Sequence, residues 1–434
     1  MKRYPNYKDS GIEWIGEIPE GWDYKQIKHV AENHDSVRVP LSGEERGQMQ
    51  GSYPYYGATG IIDYVDDYLF DGEYLLIGED GAPFFIENEN VAFVAKGKFW
   101  VNNHAHILKS YNDTDTGYLM YSLNTIDYKE YITGSTRDKL TQSDLSRIGI
   151  PFPPFPEQQS IANYLERKTH LIDTLIEKKQ KLIGRLKEQR AASINQAVTK
   201  GLNPDVKLKD SGIEWLGEMP EGWKPVKLKF LTSKIGSGVT PRGGSEVYQE
   251  TGVPLLRSQN IYSDRLRLDE VAYISQEIHD SMNSSKVQHN DVLLNITGAS
   301  IGRCYYVTEE LGEANVNQHV CIIRPNERIK TIFLFNVLAS TIGQFQVLNS
   351  QNGTSREGLN FEELGNFIIP LPPKTEQIKV IEFLDRVSSK IFTSIDNLNN
   401  QMDHLQEYRT ALISEVVTGK IDVRDYGIQE VLHS

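Results

Sequence analysis

One fifteen-residue segment occurs twice in this chain of 434 residues, and that duplication limits the folds open to it more than any other feature. Lys8 to Trp22 reads KDSGIEWIGEIPEGW and Lys209 to Trp223 reads KDSGIEWLGEMPEGW, thirteen of fifteen positions being identical at an offset of 201. A second repeat runs at an offset of 219. Pro153-Pro154-Phe155-Pro156-Glu157-Gln158 matches Pro372-Pro373-Lys374-Thr375-Glu376-Gln377, and the match continues through Tyr164-Leu165 and Phe383-Leu384 to Ala197-Val198-Thr199 and Val416-Val417-Thr418. Such periodicity makes each copy a structural unit. The chain therefore reads as two tandem units, roughly 1–203 and 204–434, each with a short lead, a diverged middle and a long closing segment. The second middle is 18 residues longer.

The closing segments are helices. Ile161, Leu165, Ile172, Leu175, Leu182 and Leu186 lie on a heptad stripe interrupted by Lys168 and Lys179; an offset of 219 gives Val380, Leu384, Ile391, Ser394, Gln401 and Leu405, with Val387 and Leu398 replacing the lysines. A sustained heptad stripe is a coiled-coil seam. Each helix follows a proline-rich turn and runs about 40 residues, or about 60 Å at 1.5 Å per residue. Duplication within one chain pairs them most simply antiparallel about a pseudo-two-fold axis.

The middles, Tyr24–Ile150 and Lys224–Ile369, carry short apolar runs between Gly turns, such as Glu73–Ile77 and Asp291–Asn295, which predict strands. One amphipathic helix is predicted in each, near Gly117–Tyr131 and Thr331–Leu348. The expected fold is α+β: two pseudo-symmetric domains joined by two long antiparallel coiled-coil helices. The boundaries read as a first domain at 1–155, a central helix at 156–202, a second domain at 203–374, a distal helix at 375–420 and a tail at 421–434.

Composition excludes several classes. Two cysteines, Cys304 and Cys321, supply neither a disulfide framework nor a four-ligand zinc site, which fits a reducing compartment. The N-terminus lacks the apolar core of a signal peptide. The longest uncharged stretch, Thr331 to Ser355, is interrupted by Asn336, Thr341, Gln344 and Gln346 and reads as a buried helix, so no membrane partner and a cytoplasmic location are expected. Forty-six Lys and Arg against 59 Asp and Glu give a net charge of −13, which argues against an independent nucleic-acid binder. The charge is uneven. Residues 24–150 carry 11 basic and 19 acidic groups and 224–369 carry 14 and 15, whereas 151–200 carry 9 and 5.

The doubled SGIEWxGExPEGW lead, the two variable middles and the two helices entered through PxPPxxEQ-like turns resemble a type I restriction-modification specificity subunit. The second middle adds Leu256-Arg257-Ser258-Gln259-Asn260-Ile261, Asp291 to Gly302, Ala314 to Cys321 and Ser355 to Leu359 to that resemblance. The resemblance implies a subunit without catalysis of its own that selects a bipartite, asymmetric double-stranded DNA target, one half per target recognition domain. It implies two DNA adenine-N6 methyltransferase subunits and ATP-dependent restriction subunits as partners. No cofactor is expected in this chain; the partners would use S-adenosylmethionine, ATP and Mg. A second reading is a two-headed module binding protein or glycan on a coiled-coil spacer.

The two copies serve as each other's comparison. Features kept in both point to architecture or docking: Trp14/Trp215, Trp22/Trp223, and Asn102-Asn103-His104 with Asn317-Gln318-His319. Ser135-Thr136-Arg137 matches Thr354-Ser355-Arg356, and a charge kept in both halves carries little sequence information, so Arg137 and Arg356 are candidate phosphate ligands. Polar residues that diverge are candidate readers of bases: Tyr53, Tyr55, Tyr56, Thr59, and Lys96 and Lys98 of a Lys-Gly-Lys turn, with Lys139 beside them in the first domain; Ser237, Thr240, Arg242, Arg257, Gln259 and Asn260 in the second. Arg suits guanine and Asn or Gln suits adenine, each good pair contributing about 1–3 kcal/mol of discrimination.

Enzymatic readings find little support in the residues. His104-Ala105-His106 has a spacing a metal could use, but nothing in the sequence completes a ligand set and Cys321 stands opposite His106. Gly78-Glu79-Asp80-Gly81 and Gly236-Ser237-Gly238 lack the GxxxxGK[ST] of a phosphate loop. An amino-methyltransferase tetrapeptide and a GxGxxG are absent as well.

Overall fold

The computed structural model describes residues 2–12, 15–132, 138–350 and 358–426. It divides into two units, Met1–Gln180 with Leu398–Ser434, and Lys181–Asn397. The units are therefore not the tandem halves of the sequence. Each takes the beginning of one long helix and the end of the other.

Both units are built on one strand plan. In the first, six strands follow the order Ala31–Asn33, Ala105–Ser110, Phe70–Gly78, Ala92–Val101, Gln50–Gly57, Gly60–Val65. Neighbours are antiparallel except Gln50–Gly57 and Ala92–Val101, which pair parallel at Tyr55↔Trp100 and Tyr56↔Val101. In the second unit the plan is cut into a four-stranded and a three-stranded sheet, and the parallel pair recurs at Leu255↔Asn315 and Leu256↔Val316. The antiparallel register repeats too: Ile77↔His106 and Gly78↔Ala105 correspond to Leu294↔Cys321 and Asn295↔Val320. Most of the second unit's extra length falls between Leu256 and Leu293, where a short helix, Gln276–Ser281, is inserted.

The predicted mid-domain helices are both interrupted. The first runs Thr116–Leu123 and stops at Asn124, whose side chain turns away to bond the backbone of Val91 and Ala92. The second splits at Ser340 into Thr331–Ala339 and Thr341–Asn349, bent by 63°. A Cβ on Gly343 would lie 2.3 Å from the Leu338 carbonyl oxygen, so the bend needs glycine there. No single helix among the described residues is long and apolar enough to cross a membrane.

Each domain leaves its helical base through a two-stranded neck. Asp23–Gln26 pairs antiparallel with Gly149–Phe152, and Lys224–Lys227 with Ile368–Leu371. The Ile27 amide donates to the Ile148 carbonyl at 2.9 Å, as Leu228 does to Phe367 at 2.8 Å. Beside each neck lies the duplicated glutamine of the proline-rich turn, fully buried in both copies. Gln158 accepts from the Asp115 amide at 2.9 Å and donates to the carbonyls of Asp113 and Pro153. Gln377 does the same for the Lys330 amide and the carbonyls of Arg328 and Pro372. One amide thus clamps a long helix to the loop that starts the mid-domain helix. Gln158→Ala or Gln377→Ala strands buried backbone groups, and each is expected to cost about 2–4 kcal/mol of unfolding free energy in its own unit, read by denaturant titration.

The long helices span Phe155–Thr199 and Lys374–Val417. At 45 residues the first is about 68 Å long. Within the first unit they pair antiparallel: Arg409 meets Asp173 at 3.0 Å and Lys179 meets Gln401 at 2.5 Å. Within the second, Arg190 donates to Ser388 at 3.1 Å and lies 4.9 Å from the Phe392 ring. The seam differs from the sequence expectation. Leu175 and Leu182 are 43% and 44% exposed, and Ser394 and Gln401 are exposed as well. The covered stripe is Ile172, Ile176, Lys179, Ile183, Leu186 and Arg190, matched at an offset of 219 by Ile391, Ile395, Leu398, Met402, Leu405 and Arg409. Ile172, Lys179 and Leu186 belong to both stripes; the covered one takes Ile176 and Ile183 in place of Leu175 and Leu182, one residue on, and reaches Arg190, whose stem covers the seam.

The duplicated lead is core. Trp22 and Trp223 are 1% and 0% exposed. Each long helix ends at a left-handed glycine, Gly201 or Gly419, with φ +75° in both, set against the tryptophan and the proline of a lead segment. Trp223 Nε1 donates to Glu376 at 2.9 Å, and Tyr4 donates to the equivalent Glu157 at 2.6 Å. Trp215 packs on Phe345 at 5.6 Å, while Trp14 lies outside the described residues. The tail was expected to be separate; instead Ile421 and Val423 join the first unit's core, and Asp422 donates its amide to the Lys2 carbonyl.

Candidate nucleic-acid interface

At one edge of each domain the same backbone frame appears. The amide after the parallel strand, Asn102 or Asn317, donates to the Tyr56 or Leu256 carbonyl at 3.0 Å. Its side-chain oxygen then accepts the amide two residues on, His104 at 2.8 Å or His319 at 3.1 Å, closing an Asx turn. The histidine carbonyl accepts from Glu79 at 2.8 Å or Ile296 at 3.0 Å, and those residues in turn accept from Leu140 at 2.8 Å or Leu359 at 2.9 Å. Every one of these bonds has its twin. The side chains mounted on the frame do not.

In the first unit the frame carries charge. His104 Nδ1 bonds Asp80. Behind it, His106 is buried, with Nδ1 at 2.5 Å from Asp35 and Nε2 at 2.8 Å from the Leu140 carbonyl. Glu79 receives Arg38 at 2.6 Å and Lys139 at 2.9 Å. Burial works against ionising Asp35 and Glu79, but hydrogen bonds from His106 to one and from Arg38 and Lys139 to the other outweigh it and hold both carboxyls below their ordinary values. Sequence reasoning found no partners for the His104–His106 pair; the fold brings Asp35 and Glu79 to His106, ligand atoms within 4.8 Å of one another. Arg38 and Lys139 already neutralise that group, so it reads as an ion-pair network.

In the second unit the same positions are neutral. Thr297 replaces Asp80 and lies 2.6 Å from His319 Nδ1. Gln318 approaches His319 Nε2 at 2.9 Å and accepts from the Thr240 hydroxyl. Cys321 replaces His106; burial pushes its thiol and that of Cys304 up to about 12, so neither is a reactive cysteine. Asn295 bonds Ser258 at 2.8 Å and Ser300 at 3.0 Å. Arg257 Nε and Asn295 Oδ1 are buried without hydrogen-bond partners among the described residues.

The candidate readers distribute unevenly about this frame. Thr59 is exposed on the hairpin turn that follows Tyr56, and Gln259 is exposed on the turn that follows Leu256, so the register makes them counterparts. Lys139 and Thr240 sit on the frame itself, Ser237 lies at the end of the strand facing Cys321, and Arg242 is exposed beyond it. Arg257 is half-buried, 5.7 Å from the Tyr248 ring. Two candidates are corrected. Tyr55 is 1% exposed and its hydroxyl accepts the Leu41 amide; Asn260 is 1% exposed and caps the turn from Arg257 while donating to the Arg267 carbonyl. Neither side chain can reach a base. Tyr56 is half-buried between Phe93 and Phe99 and supports the sheet. Lys96 and Lys98 lie within the strand Ala92–Val101, not on a turn; Lys96 pairs with Glu73, and Lys98 covers the Tyr68 ring that packs on Tyr53. Arg137 and Arg356 lie outside the described residues.

Comparison with known proteins decides the family. The model of the type I restriction modification DNA specificity domain matches this chain twice, at residues 19–185 and 220–403. The chain belongs to the type I restriction-modification specificity subunits. A type I restriction enzyme specificity subunit of Methanocaldococcus jannaschii, MjaVIII, is 24% identical over 422 residues, covering 94% of this subunit and 95% of its own length. The EcoBI specificity subunit of Escherichia coli is 26% identical over 290 residues, 65% of this subunit and 60% of that one. Among solved structures, the HsdS subunit of Thermoanaerobacter tengcongensis matches with a TM-score of 0.50 at 14% identity, over 93% of this subunit and 98% of that chain. A chain from a study of type I R-M complex assembly and conformational transition matches with a TM-score of 0.68, also at 14% identity, over 93% and 99%. At such identity the structural likeness concerns the fold. The specificity subunit is a non-catalytic component of its system by family.

Proposed function

We propose that this specificity subunit reads a split, asymmetric DNA sequence, one half per domain, and holds two adenine methyltransferase subunits and ATP-dependent restriction subunits around it. The observation that carries the reading is the shared frame with unlike side chains. Two domains that keep the same backbone hydrogen bonds yet mount Asp80, Glu79, Arg38 and Lys139 in one and Thr297, Gln318 and Thr240 in the other are suited to reading unlike base edges. Features identical in both copies, the leads and the glutamine clamps, serve the base on which partners would assemble. The cofactors, S-adenosylmethionine, ATP and Mg, belong to those partners.

The acidic balance bears on affinity. Most nucleic-acid affinity comes from cations neutralising phosphates. A first domain with 11 basic and 19 acidic residues supplies little of that, so the partners would supply much of it. The subunit alone is expected to bind DNA weakly and without sequence preference, and the complex with its methyltransferase to bind selectively, with affinity falling steeply as salt rises. Fluorescence anisotropy with a genomic fragment, with and without the partner, checks this. Tight, selective binding by the subunit alone would contradict it.

A further inference from the structure

We propose that the Asx turn of each frame is the reading head of its domain, with His104 Nε2 accepting a hydrogen bond from a base-edge amine, cytosine N4 or adenine N6, in the first and Gln318 bonding an adenine edge in the second. The proposal rests on the bipartite reading above and names the residues that carry it.

Hydrogen-bond logic assigns what each turn presents. A carboxylate only accepts, so Asp80 at His104 Nδ1 fixes the tautomer with its proton on that nitrogen and leaves Nε2 as an acceptor. Nε2 has no hydrogen-bond partner among the described residues, and 43% of the side chain is exposed. The first turn therefore offers an acceptor, which matches the amine donors on the major-groove edge, N4 of cytosine and N6 of adenine. Around it stand Lys139, Arg38 and Glu79, whose charges pair among themselves.

In the second domain the same ring is withdrawn from that role. Thr297 takes Nδ1 and the Gln318 amide donates to Nε2, so both His319 nitrogens are engaged. The exposed group is Gln318. Its amide keeps one N–H beyond the bond to His319, and its oxygen keeps one lone pair beyond the bond from Thr240. An amide with one donor and one acceptor left matches adenine N6 and N7. His319 and Thr240 act as positioning residues, holding that amide flat against the turn. One backbone frame thereby displays an imidazole acceptor in one domain and an amide in the other, through the exchange of Asp80 for Thr297 and Asn103 for Gln318.

The test uses the full chain co-expressed with its methyltransferase, and sequencing of N6-methyladenine across genomic DNA. His104→Ala is expected to make one cytosine or adenine position of one half-site degenerate, with discrimination there falling about tenfold, the other half-site being untouched. Gln318→Ala is expected to relax one adenine position in the opposite half-site. Asp80→Ala removes the acceptor at Nδ1 and with it the fixed tautomer; it should relax the same position as His104→Ala, and it guards against a fold defect in the His104 variant. The assignment is overturned if the variants methylate the parent sequence unchanged, if both alter the same half-site, or if every position loosens together. A wild-type complex that marks no split sequence would instead overturn the bipartite reading beneath it.

Discussion

Exchanging residues 27–148 for the matching segment of another specificity subunit is expected to replace one half of the methylated sequence, leaving the other half and the spacing intact. The cut points follow from the necks. Gln26 pairs with Gly149 across the first neck and Lys227 with Ile368 across the second, so the chain enters and leaves each domain at neighbouring positions. A graft there keeps the ribbon, the lead and both long helices of the host. It also crosses the glutamine clamp: Gln158 stays with the host, while its partners Asp113 and Asp115 come with the graft. Those partners are backbone groups, which any similarly shaped loop supplies. The effect is complete replacement of a half-site, a change of several orders of magnitude in preference at each altered base pair when a few contacts of about 1–3 kcal/mol are exchanged together. Methylation mapping reads it directly. A chimaera that folds and alters both halves would contradict modular reading.

Lengthening both long helices by four residues is expected to widen the unread spacer by about one to two base pairs without changing either half-site, since four residues add about 6 Å of helix against 3.4 Å per base pair. The two units are joined by the chain only where the helices cross from one to the other, at Gln180–Lys181 and Asn397–Leu398. Insertions within Lys178–Arg190 and at its repeat counterpart therefore act on the connection and leave both domains alone. Both helices must be extended. An insertion in one alone shifts the stripe residues that follow it relative to Ile172 and Ile176 while the partner stripe stays unshifted, and breaks the antiparallel register. A wider spacer with unchanged halves supports a helical ruler; altered half-sites with a fixed spacer would refute it.

The duplication made the architecture legible, because repetition at two offsets marks the lead, the helices and the variable middles without any knowledge of contacts. It also made His104 and His319 visible as a kept pair. What it could not reveal is that the units exchange helix ends, since the sequence order of the repeats is a property of the chain and not of its closure. The seam differs by one residue at every second position because Leu175–Ile176 and Leu182–Ile183 are adjacent apolar pairs, and hydrophobicity alone does not say which member of each faces the partner helix. Tyr55 and Asn260 stand among diverged polar residues and so look solvated in sequence; the Tyr55 hydroxyl instead accepts the Leu41 amide and Asn260 caps a turn. The pairing of Asp35 and Glu79 with His106 is not legible because nothing in their local sequence ties them to that residue, from which they are separated by 71 and 27 residues. Long-range polar pairing leaves no periodicity to find.

The central claim is that two domains on one chain each choose half of a DNA sequence for a partner enzyme. Its most direct test is to express this subunit with its methyltransferase in a host lacking N6-methyladenine and to sequence the methylome. One new motif should appear, with two specific segments of different sequence, a fixed unread spacer and an adenine marked in each. No new motif, or a single uninterrupted motif, would contradict it.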